Sequence, residues 1–151
     1  MNEPDQTAPR QRWMSVLARA PEPVLVAVWR ATGRDPKFNW IRTPEIGTVM
    51  VRGRTGGTGD AFNLGEMTVT RCALQLEGGA TGHAIVPGRS REKAKIAALC
   101  DALLQEEAEA EAMFRQVIEP LADAAEQAAR DRSAKAAATK VEFFTLARGD
   151  S

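Results

Sequence analysis

Between Gly65 and Pro87 the chain reads GEMTVTRCALQLEGGATGHAIVP, and this stretch constrains the fold more than any other. Thr68, Thr70, Cys72, Leu74 and Leu76 alternate with Met67, Val69, Arg71 and Ala73, the period of two expected of an extended strand. Both faces carry apolar residues, which predicts a strand in the middle of a sheet. The EGGA turn then leads into TGHAIVP, and paired glycines between two alternating runs signal a hairpin, so the second strand runs antiparallel to the first. Pro87 has no N–H to give a ladder and belongs at a strand end or on an edge.

The flanking segments settle the fold class. Upstream, Val49 and Val51 alternate with Met50, Arg52 and Arg54 in GTVMVRGR, a further strand, and FNWIRTP has the composition of a separate short one. Before these lie two short helices joined at Pro21 and Pro23: PRQRWMSVLARA, with Trp13, Val16, Leu17 and Ala20 on one face, and PVLVAVWRATG. After the hairpin, Ser90 is placed to cap a long helix whose stripe is Ile96, Leu99, Cys100, Leu103 and Leu104. Pro120 is expected to interrupt or kink it, and an alanine-rich helix follows. Helices, then an antiparallel sheet, then a long C-terminal helical segment describe an α+β domain over residues 9–151, behind a loose segment 1–8. No βαβ alternation is present, so a Rossmann fold is excluded.

Composition removes several functions. Two cysteines, Cys72 and Cys100, are too few for a disulfide scaffold or an iron–sulfur cluster, and they and the single His83 lack the paired spacing of a zinc site, so no metal is expected. No apolar run approaches a membrane span and the first residues have no export signal, so the expected setting is cytoplasmic, without a membrane partner. Aromatic residues make up 5% of the chain and there is no tyrosine, so the strands lack stacking platforms and a nucleic-acid partner is not expected. Net charge is zero, but residues 1–100 carry 14 basic against 9 acidic side chains and residues 101–151 carry 6 against 11. Either the two parts attract each other in the folded chain, or a basic body and an acidic tail face different partners.

The candidate anion site is VRGRTGGTGD, residues 51–60. Consecutive glycines can turn several N–H groups into one concave nest, and Arg52 and Arg54 would add guanidinium forks to Gly56, Gly57, Thr58 and Gly59. The run fits neither GxxxxGK[ST] nor GxGxxG, and a strand rather than a helix follows it. A tight turn that lets a neighbouring backbone approach is the competing reading. Arg71, on the central strand, either pairs with an acid such as Glu66 or faces a ligand or interface. His83 has no acid partner or nucleophile nearby in sequence, and a structural role is the simpler reading. Arg89, Arg91, Lys93 and Lys95 crowd a helix start, where cations are unfavourable unless an anion sits there. Phe143, Phe144 and Leu146, near the terminus, either tuck into the core or dock onto another chain.

Four separated motifs, RQRWMSVLA, GGTGDAFNLGEMTVTRC, GHAIVPGRSREKAKIAALCDALL and KVEFFTLARGD, together resemble the PhnG subunit family of the bacterial carbon–phosphorus lyase system. The resemblance runs from about residue 10 to residue 150. It implies an accessory or non-catalytic subunit of a core complex with PhnH-, PhnI- and PhnJ-like chains, the PhnI-like chain being the direct neighbour. It implies that the complex displaces adenine from MgATP with a phosphonate, yielding a ribose 1-alkylphosphonate 5-triphosphate. On that view MgATP is a substrate of the complex, this chain binds no cofactor, and no catalytic residue carries over to it. The other class of function is a stand-alone phosphate- or nucleotide-binding module centred on residues 52–59.

Overall fold

A computed structural model of the protein describes residues 7–54, 59 and 61–149, with the side chains of residues 54, 61, 63 and 141–149 outside that description. The elements are α1 (Thr7–Arg19), α2 (Glu22–Ala31), β1 (Phe38–Arg54), β2 (Ala61–Leu76), β3 (Thr81–Pro87), α3 (Arg91–Leu104), α4 (Glu107–Met113), a π turn (Phe114–Ile118) and α5 (Glu119–Gly149). The sheet order is β1-β2-β3, antiparallel throughout, so the strand with two apolar faces is indeed the central one. This is the expected α+β arrangement.

Three local expectations need correction. FNWIRTP and GTVMVRGR are one strand of 17 residues, not two. Pro44 is tolerated within it because β1 is an edge strand, and irregularities between Trp40 and Glu45 absorb the break in the ladder. The helical path after the sheet breaks at Gln105–Glu106, between α3 and α4, well before Pro120. At Pro120, which has no N–H, the helix is continued by the π turn, in which the Glu119 N–H donates to the Phe114 carbonyl.

The third correction concerns α3. The stripe read from the sequence has five residues, yet eleven residues of the helix are buried, including Lys93 and Asp101. One side of α3 packs on β2 and β3, the other on α1, α2 and α4, so it is the central helix of the core. The sheet contributes Cys72, Leu74, Leu76, Ala84 and Val86, while Trp13, Leu17 and Leu25 close the opposite side. Alanines 94, 97, 98 and 102 keep α3 thin enough to be covered on both sides. At Gly82 the contact with α3 is close enough that a Cβ would lie 2.0 Å from the Ala98 carbonyl oxygen.

The described residues fall into two compact units, one ending at Leu121 and the other starting at Ala122. The second is the continuation of α5, exposed from Asp123 to Lys140 and supported by alanine propensity and by local pairs such as Arg130–Glu126 and Gln127–Asp131. No helix among the described residues is long and apolar enough to cross a membrane.

Candidate functional site

The most organised polar group among the described residues is Asp101, fully buried on α3. Its carboxylate accepts from Arg10 through Nε at 3.1 Å and Nη2 at 2.8 Å, from Trp13 Nε1 at 2.8 Å and from the His83 backbone N–H at 2.9 Å. The Gln105 amide lies at 3.4 Å and also donates to the Thr81 carbonyl at 2.8 Å. One carboxylate therefore joins α1, α3 and β3. Asp101 in turn raises the Arg10 pKa, chiefly through the side-chain hydrogen bond, against the lowering effect of burial. Its donors are already committed to it, so the group is a structural joint rather than a free acid or base. Sequence reasoning passed over it; the signal was an acid set inside the apolar stripe, between Cys100 and Leu103.

The basic cluster at the start of α3 is dispersed by the fold. Ser90 caps the helix by accepting from the Lys93 N–H at 3.0 Å, and its hydroxyl donates to Glu22. Lys93 reaches back to the Ala18 carbonyl, 2.7 Å away near the end of α1, and desolvation lowers its pKa while Glu22 opposes that shift. Lys95 sits 6.0 Å from the centre of the Phe38 ring. Arg89 and Arg91 are exposed. Glu22 stands beside the cluster through Ser90 and acts electrostatically on Lys93.

Both thiols belong to the core. Cys72 donates to the Ala94 carbonyl at 3.3 Å, and burial pushes its pKa up to about 11. Burial also pushes the Cys100 thiol up, with Asp101 adding to the shift. At pH 8 a thiol at about 11 is ionised to roughly one part in a thousand. The expected result is that both cysteines of the folded chain react with an aromatic disulfide reagent at pH 8 at least about 100-fold more slowly than in the denatured chain. Fast labelling of either would show that the core opens there. Among the described residues no three His, Cys, Asp or Glu side chains converge as metal ligands.

The glycine-rich run joins β1 to β2 at the end of their hairpin, since pairing continues to Arg54 and Ala61. A strand does follow the run, so the element after it supplies no helix N-terminus of the kind that phosphate loops use. Gly56, Gly57 and Thr58 lie outside the described residues, as does the Arg54 side chain, while Gly59 forms a bend beside β2. Arg52 is exposed and stands opposite Asn63. Arg71 is half-buried opposite Glu45, on the other face of the ribbon and seven residues along β1, roughly 23 Å away at about 3.3 Å per residue. One small anion therefore cannot touch both Arg52 and Arg71, and the two do not form a common site. Nor does Arg71 pair with Glu66, which stands opposite Met50 on the Arg52 face. His83 is exposed beside a shallow hollow of about 380 Å³ lined also by Thr7, Arg10, Gln11 and Met14. The side chains of Phe143, Phe144 and Leu146 lie outside the described residues, and only the helical backbone there is defined.

The sequence model of a family described as "Phosphonate metabolism protein PhnG" matches residues 8–149. The chain belongs to this PhnG family. The match takes in the first three motifs and all but the last residue of the fourth, and extends through the alanine-rich segment between the third and fourth. The chain is also similar to the alpha-D-ribose 1-methylphosphonate 5-triphosphate synthase subunit PhnG of Rhizobium meliloti (strain 1021). The two are 42% identical over 146 residues, which cover 95% of this chain and 91% of the relative.

Proposed function

We propose that this chain is an accessory subunit of a synthase that forms α-D-ribose 1-methylphosphonate 5-triphosphate, and that it supplies structure rather than reacting groups. The observation that carries this is the similarity to a protein named as a subunit of that synthase, over nearly the full length of both chains. The side chains support it: Asp101 is saturated, both buried cysteines are held as thiols, and the exposed His83 lacks a catalytic partner among the described residues. On this reading MgATP and the phosphonate are substrates of the assembly, the reacting groups lie on PhnH-, PhnI- or PhnJ-like chains, and the PhnI-like chain is the direct neighbour. This chain then binds no cofactor of its own. The stand-alone nucleotide-binding module is not favoured, because Arg52 and Arg71 diverge and a strand rather than a helix follows the run.

The test is purification of the tagged chain from source cells grown on methylphosphonate, with the mass of the intact assembly measured. Recovery of the companion subunits in fixed stoichiometry, in an assembly that makes the triphosphate product, is the expected result. A lone chain that binds ATP would overturn the reading. Within the recovered assembly, Arg52→Ala with Arg54→Ala is expected to leave turnover within about twofold of the parent, because on this reading the reacting groups lie on the companion chains. Loss of turnover from an intact assembly would return the loop to consideration as an anion site.

A further inference from the structure

β3 pairs with β2 only as far as Pro87 opposite Val69. Beyond that point β1 and β2 continue together to Arg54 and Ala61 as a two-stranded ribbon. Such a ribbon is marginally stable in water unless something covers one of its faces.

Its two faces differ. Directly opposed residues of an antiparallel pair share a face, so Gly47 with Val69, Val49 with Met67, Val51 with Gly65 and Gly53 with Phe62 lie on one side. Leu64 is the extra residue of a bulge, and a Cβ on Gly53 would meet Leu64 at 3.1 Å and Phe62 at 3.3 Å, which puts both side chains over that same side. This face points away from α3, because Thr70, Cys72 and Leu74 of the opposite parity enter the core. Phe62 is 45% exposed, Leu64 62%, Met67 40% and Ile85, beside Arg71 on the same face, 57%, while Val69 at the root of the ribbon is buried. The other face of the ribbon is mainly polar, with Thr48, Arg52, Glu66 and Thr68, and among the described side chains there Met50 is the apolar one.

The two sheet edges differ as well. On β3 the His83 N–H is taken by Asp101, the Thr81 carbonyl by Gln105, and Pro87 has no N–H. On β1 the guards, Pro44 and the irregular register, lie between Trp40 and Glu45, and pairing from Glu45 to Val51 is regular. An edge left regular beside an apolar face is open to another chain.

We infer that the distal β1–β2 ribbon is the arm by which this chain docks into an apolar cleft of a companion subunit of the synthase. The inference rests on the subunit reading above. Size selects the occupant. With whole aromatic side chains covering roughly 150–250 Å², the four exposed residues leave on the order of 400 Å² of apolar surface open. A second copy laid face to face would bury about 800 Å² in all, short of the roughly 1,200 Å² at which stable specific interfaces begin. Pairing of two copies along the β1 edges would leave Phe62, Leu64 and Met67 open. A cleft that takes the apolar face, Met50 and the β1 edge together covers all of them.

The experiment compares the tagged parent chain with a Leu64→Asp, Met67→Asp variant, each purified from source cells grown on methylphosphonate and assayed for the triphosphate product. The expected result is an active assembly from the parent and at least a tenfold loss of companion subunits from the variant, with the variant's thermal transition unchanged. A variant that assembles like the parent overturns the docking arm while leaving the subunit reading intact. A parent chain recovered alone, or only as a self-dimer that the variant abolishes, overturns the inference, and the absence of companions removes the subunit reading with it. Hydrogen exchange on the parent decides independently of the variant's folding. Amides 46–53 and 64–68 gain protection on assembly if the arm is buried, and unchanged exchange there overturns it.

Discussion

Asp101→Asn lowers the stability of the folded chain by about 3–5 kcal/mol, the range for breaking a buried, hydrogen-bonded ion pair from one side. The carboxylate is fully buried and holds donors from Arg10, Trp13 and the His83 backbone. An asparagine in its place has one acceptor oxygen and turns an NH₂ toward groups that are themselves donors. In a domain of this size the thermal midpoint falls by roughly 10 °C or more. Arg10→Ala is the informative comparison. Arg10 is about a third exposed, and its loss leaves Asp101 with the indole and backbone donors, so the expected cost is only about 1–2 kcal/mol. Denaturant titration of both variants ranks them, and an Asp101→Asn loss below that of Arg10→Ala would mean that the carboxylate does not organise the joint.

Gly82→Ala is expected to cost about 3 kcal/mol, the upper part of the range for overpacking a tight core. A methyl there would lie 2.0 Å from the Ala98 carbonyl, 2.9 Å from the Ala102 Cβ and 3.0 Å from the Ala102 nitrogen. These obstacles sit on the α3 backbone and cannot swing aside as a flexible side chain would, so β3 and α3 must separate. Residue 83 follows directly, and separation stretches the His83 N–H bond to Asp101 as well. Gly33→Ala serves as the control. Gly33 has a φ of +67° and open space around it, so that change carries only the left-handed backbone strain of about 1–2 kcal/mol. Equal losses at the two positions would show that the β3–α3 approach is not tight.

The strands and helices were legible because their periodicities are local. Thr68 to Leu76 alternates regardless of its surroundings, Ser90 caps α3 as its position implied, and the EGGA turn is where the hairpin closes. Pro44 misled because a proline reads as a break until the strand is known to be an edge. Lys93 and Lys95 at the head of α3 misled because their partners, the Ala18 carbonyl and the Phe38 ring, lie far away in sequence. Arg52 and Arg71 invited grouping by charge, and only the register separated them onto opposite faces. Asp101 was missed because its meaning depends on donors 88 and 91 residues earlier in the chain.

Sequence alone determined the α+β class, the antiparallel hairpins, the central strand and, through four motifs in order, the family. Each of these rests on short-range patterns or on the residues themselves. The tertiary structure decided where the polar groups of α3 find partners, and that the long β1–β2 ribbon passes beyond β3 with an apolar face uncovered by the sheet's own helix. Those are long-range outcomes. A carboxylate is a joint or a reactive group according to the donors that the fold brings to it, and a run of apolar residues is core or docking surface according to what lies across from it.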